Sequence, residues 1–247
     1  MDKTPLGTML KEYQAVTDIQ LDFDGYNILQ LDGNAFHTFT KGFERPFDDR
    51  FISAMNEVAV EIIKTIPGAR VGYVQSDEIS ILIKKVMDRE EPYFNHRVQK
   101  IVSLTAGRAS AVMSRLYPEK PVAVFDARYF TLPDRDTAVK HFIWRQRDCT
   151  KNSVLSVGQA FFSHKELQNK NTLMVKEMLR EKGHAWEDYG TEYRHGRVIR
   201  RVSGGRVVTF VHKKTNKPQT IHVDSNDWKA LPAERFEESR ELDELIP

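Results

Sequence analysis

The stretch RVGYVQSDEISILIKK, Arg70 to Lys85, is where the fold is read. Apolar, strand-favouring residues stand on both sides of a polar knot, Gln75-Ser76-Asp77-Glu78. Arg70 to Val74 and Ile79 to Ile83 read as two strands, and the gap between them suits a tight hairpin loop. One strand running through Ser76 to Glu78 is the competing reading. Two adjacent carboxylates in such surroundings must be solvated, paired or holding a cation.

Outward from the hairpin, helix and strand signals alternate irregularly. Thr4-Pro5 opens a helix, and Leu6, Met9, Leu10, Tyr13 and Val16 follow at helical spacing. Tyr26 to Leu31 reads as a strand ended at Asp32-Gly33. A helix is predicted from Asp48 to Pro67-Gly68, another from Pro92 to Tyr117, a strand from Val122 to Phe130, and a long helix from Asp136 to about Phe162. Thr172 to Lys182 reads as a further helix. Arg197 to Val223 holds two or three strands, with turns at Ser203-Gly204-Gly205 and Thr215-Asn216-Lys217-Pro218. Without a βαβ repeat, this order predicts an α+β fold, an antiparallel sheet with helices packed on one face. We divide the chain into 1–135, a catalytic part; 136–231, a long helix and basic β segment completing the same fold; and 232–247, an acidic, loosely held tail.

The 247 residues suffice for a sizeable core, and a net charge of +2 points to no partner by itself. One cysteine, Cys149, excludes an intrachain disulfide and a multi-cysteine zinc site, which fits a reducing cytoplasmic compartment. The charged N-terminus does not read as a secretory signal, and no uncharged run approaches membrane-spanning length.

If the Tyr26 strand lies beside the hairpin, Asp32 and Asp77 meet from about 45 residues apart. Two close carboxylates raise one another's pKa or take a cation. Hard oxygen donors of incomplete number suit Mg²⁺, which draws the rest of its shell from water and phosphates. Gly33 could add its carbonyl, the backbone from Asn34 to His37 could cradle a triphosphate, and Ser76 could donate a hydroxyl. His37, Lys41 and Arg45 supply positive charge nearby. The plain alternatives stand beside this reading: Asp-Gly is commonly a turn, and Ser-Asp-Glu a solvated hairpin tip.

Five segments narrow the choice: QLDGNAFHTFTKGFERP (30–46), GYVQSDEISILI (72–83), FDARYFTLP (125–133), FIWRQRDCTKNS (142–153) and YRHGRVI (193–199). In this order they resemble the tRNA(His) guanylyltransferase family, specifically its bacterial and archaeal guanylyltransferase-like branch, over roughly residues 6 to 200. The resemblance implies a polymerase palm-like sheet and a nucleotidyltransferase that adds nucleotides to RNA in the 3′-to-5′ direction. The 5′ end is activated with ATP or GTP, and the 3′-hydroxyl of the incoming nucleotide attacks it. Carried over, Asp32, Gly33 and Asp77 match a site for two Mg²⁺ ions, and Glu78 the adjacent catalytic acid. Asp32, Gly33, Asn34, Ala35, Phe36, His37, Ser76 and Asp77 match nucleotide-binding segments, and Arg45 replaces the family's usual Lys. Thr150-Lys151-Asn152-Ser153 stands where tRNA(His) enzymes have His-Ile-Asn-Asn. That departure suggests template-dependent repair of 5′-truncated tRNA, with tRNA(His) guanylylation as the alternative.

The span from Arg194 to Lys217 has roughly eight Lys/Arg, with His195 and His212 interleaved and no acid. With Lys140, Arg145, Arg147 and Lys151 on the long helix, it is the expected RNA surface. Lys151, Asn152, Arg194 and Arg197 are its candidate contacts, a solvated face being the bland reading. Family resemblance also implies a homotetramer. Two rival functions remain: a palm-type nucleotidyl cyclase acting without RNA, and a non-catalytic RNA-binding module.

Overall fold

The computed structural model describes residues 4–87, 91–211, 213 and 216–247. Its frame is a six-stranded sheet in the order β4-β1-β3-β2-β5-β6. The strands are β1 Tyr26–Gly33, β2 Ala69–Gln75, β3 Glu78–Ile83, β4 Phe125–Leu132, β5 Arg197–Val211 and β6 Pro218–Pro232. Every neighbouring pair is antiparallel. β2 and β3 are joined by Ser76-Asp77 alone, with Gln75 paired to Glu78. Ser76 sits in the left-handed region at φ 45°, the backbone that two-residue hairpin loops demand. The knot therefore reverses the chain, and the single-strand reading fails.

Side chains alternate across the sheet, so each face has its own core. On one face Leu29, Leu31, Val74, Ile79, Ile81 and Ile83 meet α3 (Asp49–Ile63) and α4 (Val98–Leu116) through Met55, Val58, Ile62, Ile101 and Met113. Fully burying each such side chain contributes about 1.5–3 kcal/mol. The expected layer of helices on a sheet face is this one. Asp48 caps α3 by accepting the Phe51 N–H at 2.8 Å, an N-cap worth about 1 kcal/mol. The opposite face is crossed by α5 (Arg135–Phe161), whose Ala138, Phe142 and Cys149 cover Ile28, Tyr73, Leu82 and Val198.

Smaller helices complete the chain: α1 Pro5–Ala15, α2 Phe36–Phe39, α6 His164–Leu167, α7 Thr172–Glu181, α8 Thr191–Arg194 and α9 Glu241–Leu245. α7 packs Val175 and Leu179 against Val154 and Val157 of α5. Thr4 caps α1 as expected, accepting the Gly7 N–H at 3.1 Å.

Three expectations need correction. The helix predicted from Pro92 begins at Val98, because Phe94, Asn95 and His96 adopt φ values of 47°, 53° and 52°. This turn brings the buried His96 ring within 2.7 Å of the Tyr129 hydroxyl and 3.1 Å of the Asn27 amide. Ser203-Gly204-Gly205 is not a turn. It pairs in register with Asn226, Ser225 and Asp224 inside one long β5–β6 ribbon, which continues to Pro232. Continuous cross-strand pairing outweighs the local turn preference of Ser-Gly-Gly. His212, Lys214 and Thr215, part of the predicted basic stretch and its second turn, lie outside the described residues.

The third correction concerns the C-terminus. Residues 232–247 are not loosely held. Ala233, Phe236, Leu242 and Ile246 belong to the core beneath α5. The Tyr26 hydroxyl donates to the Pro247 carbonyl at 2.8 Å, and Arg135 donates to that of Ile246 at 3.0 Å. An acidic composition concealed four apolar anchors. Phe236→Ala should cost about 3–5 kcal/mol of unfolding free energy in urea denaturation. A loss below about 0.5 kcal/mol would mark the segment as loose after all.

Candidate active site

The pairing register builds a row of polar side chains at one end of the sheet. Asp32 of β1 stands opposite Asp126 of β4 on one side and Glu78 of β3 on the other, and Glu78 stands opposite Gln75 of β2. Paired residues share a face. This face is the one under α5, because Ile28 and Leu82, each four residues along its strand, lie in that core. Asp77 joins the row from the hairpin loop. Its carbonyl accepts the Gly33 N–H at 3.2 Å, which ties the hairpin tip to the end of β1. Asp32 and Asp77 are thus brought together as expected, and Asp126 adds an acid that the spacing argument did not include.

Charge repulsion follows from this geometry. Burial raises the pKa of Asp32, and the Asp77 and Asp126 carboxylates raise it further. Burial also raises Asp77, partly offset by a hydroxyl bond from Ser76. Glu78 is raised by burial, against the pull of Arg145. Arg145 reaches down from α5 and donates to Glu78 Oε2 at 2.7 Å, while its other arm lies 3.3 Å from Asp148. Both members of the Arg145–Glu78 pair are about nine-tenths buried. A buried pair of this kind orients its members more reliably than it stabilises the fold. The second Glu78 oxygen has no hydrogen-bond partner.

The donor set can be tested against a cation. Among the described residues, no three His, Cys, Asp or Glu side chains converge to hold a metal. Asp32 and Asp77 would need oxygens from the Gly33 carbonyl, water and phosphates. That shortfall fits Mg²⁺, which keeps waters and binds through one or two carboxylates plus substrate phosphates. Gly33 has a second reason to be glycine: a Cβ there would lie 2.4 Å from the Phe36 ring, which is buried in the core.

The backbone after Gly33 is partly committed. The Asn34 N–H donates to the Val124 carbonyl at 2.8 Å, so it is not available to a phosphate. Ala35 holds φ 54°, and the N–H groups of Ala35, Phe36 and His37 have no acceptor among the described residues. β5 pairs with β2 only along Gly72 to Val74. Past that point a cavity of about 270 Å³ opens beside the hairpin, lined in part by Arg45, Gln75, Ser76, Asn152 and Arg197.

The predicted RNA residues scatter. Lys151 and Asn152 are exposed on α5, and Arg194 is half-buried with its guanidinium 5.1 Å from the Trp186 ring centre. Arg197 is buried, donates to Asn56 at 3.0 Å and lines the cavity, not the outer surface. On α5, Lys140 pairs with Asp136 and Arg147 with Glu237, and Arg145 is spent on Glu78. Sequence reasoning missed the Arg145–Glu78 link because 67 residues separate the pair. Asp126 left a readable signal, since Asp126 and Arg128 alternate with apolar residues along one strand.

Asp32→Asn removes one charge from the row. It should stabilise the cation-free protein by up to about 1 kcal/mol near neutral pH and abolish any rise in Tm on adding Mg²⁺. The sign follows from the raised pKa. From the ordinary 3.8 upward, the unfolded chain loses this proton before the fold does. Wild type therefore loses stability relative to the variant as pH rises through the interval between the two pKa values. Thermal denaturation of both proteins across pH, with and without Mg²⁺, reads this directly.

A family model described as Thg1, tRNAHis guanylyltransferase, matches residues 7–133. A solved structure of a bacterial tRNA(His) guanylyltransferase (Thg1)-like protein in complex with ATP aligns with a TM-score of 0.77 at 37% identity, covering 80% of this chain and 87% of that one. A bacterial Thg1-like protein in complex with GTP aligns with a TM-score of 0.74 at 29% identity over 96% of each chain. The tRNA(His) guanylyltransferase of Debaryomyces hansenii is 33% identical over 144 residues, 53% of this chain and 52% of that protein. With the palm-like antiparallel sheet, these matches make the chain a member of the tRNAHis guanylyltransferase (Thg1) family of nucleotidyltransferases.

Proposed function

We propose that the protein transfers nucleotides to the 5′ end of tRNA, using ATP and GTP. The observation that carries this reading is the convergence of Asp32 and Asp77 at the sheet end, tied by the Gly33–Asp77 bond. Support for the nucleotides comes from the two aligned structures, described as complexes with ATP and with GTP. Support for tRNA comes from relatives named as tRNA(His) guanylyltransferases.

Asp32, Asp77 and the Gly33 carbonyl would hold two Mg²⁺ ions, which when bound supply a lowered pKa for the attacking 3′-hydroxyl and neutralise charge on the leaving phosphates. Arg145 pairs with Glu78 beside them and favours its ionised form against the burial that raises its pKa, and the unpartnered Glu78 oxygen is free to accept from a bound water. The N–H groups of Ala35, Phe36 and His37 would receive phosphate oxygens of the triphosphate. Arg45 and Ser76 would close on the same phosphates from the cavity wall. Arg45 brings a planar fork where a lysine would bring a point charge.

Guanylyl addition of the kind the relatives are named for is the first reading. Template-dependent repair of 5′-truncated tRNA, in the bacterial and archaeal branch, is the second. One observation favours it: Thr150-Lys151-Asn152-Ser153 occupies the stretch of α5 where tRNA(His) enzymes carry His-Ile-Asn-Asn. The tRNA surface would combine Lys151, Asn152 and Arg194 with Arg201, Lys213 and Lys217, which are exposed along the β5–β6 ribbon and its turn. Arg197, being buried, would serve the cavity's occupant instead. A homotetramer completes the proposal. α1 supports self-association, because it buries no residue against the chain and leaves Leu6, Met9, Leu10 and Tyr13 exposed. Among the described residues no helix is long and apolar enough to cross a membrane, and the cytoplasmic setting rests on the single cysteine.

The test is a gel assay with full-length and 5′-truncated tRNA, ATP and each NTP. Extension of the truncated tRNA only by the nucleotide complementary to the facing 3′-strand base selects repair. Addition of guanosine to full-length tRNA(His) alone selects guanylylation. Asp77→Ala should keep its cooperative unfolding and tRNA affinity but lose addition to background. Undiminished addition by that variant, or by wild type in EDTA, would contradict the mechanism. A cyclic product from GTP without RNA would redirect the reading to a cyclase.

A further inference from the structure

Of the three tryptophans, Trp186 and Trp228 are 5% and 8% exposed, whereas Trp144 is 56% exposed. A ring of this size leaves much apolar area in water. Its placement is nonetheless constrained. The Arg145 guanidinium covers one ring face at 3.8 Å from the centroid. The same guanidinium bonds Glu78 at 2.7 Å and lies 3.3 Å from Asp148. The His141 ring meets the indole edge-on, with centroids 6.0 Å apart at 64°. Burial holds the His141 pKa down at about 4, so that neighbour is uncharged at neutral pH. The indole thus has a fixed back and an open front, and a single guanidinium separates it from the Glu78 carboxylate.

We propose that Trp144 is a stacking platform for a nucleobase entering the active site. An aromatic face held in place before binding offers each base the same π-surface, whatever its sequence. RNA ends are commonly recognised this way, with unpaired bases laid on aromatic rings. Arg145 then has two roles, orienting Glu78 and backing the platform. The base could come from the 5′ end of the RNA or from the nucleoside triphosphate, since both carry the same ring chemistry. The proposal rests on the nucleotide-transfer reading above and adds to it the place where a base docks.

Because the other two indoles are buried, quenching of intrinsic fluorescence by acrylamide reports on Trp144. The wild-type protein should be quenched strongly by acrylamide when free. Saturating RNA with an unpaired 5′ nucleotide, or saturating GTP, should lower its emission and protect it from acrylamide. Which of the two does so identifies the source of the base. Binding is followed independently by the anisotropy of 3′-labelled RNA. Trp144→Ala should weaken binding of the responsible ligand about tenfold, raising KM with kcat little changed. Trp144→Phe should restore most of that affinity, because a phenyl ring still stacks, while Trp144→Leu should not.

Unchanged emission with RNA bound by anisotropy and with saturating GTP would overturn the proposal. So would an indole already inaccessible to acrylamide in the free protein, which would place Trp144 in a contact between subunits. Normal nucleotide addition by Trp144→Ala at normal KM would sink the platform and leave the transferase reading intact. A quenched indole in a wild-type protein that adds no nucleotide would do the reverse.

Discussion

Three carboxylates stand side by side where the central strands end, and the sheet pairing keeps them there. Asp126, Asp32 and Glu78 are direct cross-strand neighbours, an arrangement that like charges oppose. The row persists because the strands behind it are buried on both faces. Ile28, Leu29 and Leu31 of β1 are fully buried, as are Ile79, Ile81 and Leu82 of β3. A one-residue slip would turn every one of those side chains to the wrong face. Core packing therefore fixes the register, and the register imposes the repulsion. A cation held among these carboxylates would relieve that repulsion.

α5 is the second determinant. It covers the face that carries the acids, and Arg145 descends from it to neutralise one of them. The same helix supplies Asn152 and Ser153 to the cavity wall and raises Trp144 at the surface. The C-terminal segment braces the arrangement. Gln146 of α5 donates to the Glu234 carbonyl at 2.7 Å and accepts from the Phe236 N–H at 2.8 Å. Residues distant in the chain thereby hold one helix over one row of acids.

The space beside the hairpin has an equally simple origin. β5 starts at Arg197, opposite Val74, so Gln75, the last residue of β2, has no β5 partner. A cavity opens where pairing stops, and its wall carries Arg45, Ser76 and the buried Arg197. Arg197 donates to Asn56 and leaves Nη2 without a partner. A guanidinium so placed faces the cavity rather than the outer surface, which sets Arg197 apart from the exposed RNA candidates Lys151 and Asn152.

Much was legible before any coordinates. The Gln75–Glu78 knot between two strand-forming runs made a hairpin the first reading, with a single strand through Ser76 to Glu78 as its rival. Asp32-Gly33 at a strand end and Ser76-Asp77 at a hairpin tip made a shared sheet edge a natural expectation, since both are local signals. Other features had no local signature. Arg145 looked like one of several helix cations until packing turned it inward, and Ser203-Gly204-Gly205 looked like a turn until a partner strand ran past it. The acidic composition of the C-terminus hid Phe236 and Ile246, whose burial depends on the groove formed by α5 and the sheet. The sequence by itself determined the strand and helix periods and put Asp32-Gly33 at a strand end and the Gln75–Glu78 knot between strand-forming runs, because those signals come from neighbours along the chain. Only the tertiary structure decided which acids face one another, which cation answers them and which aromatic ring stays in water, because those outcomes depend on register and helix docking between segments far apart in sequence.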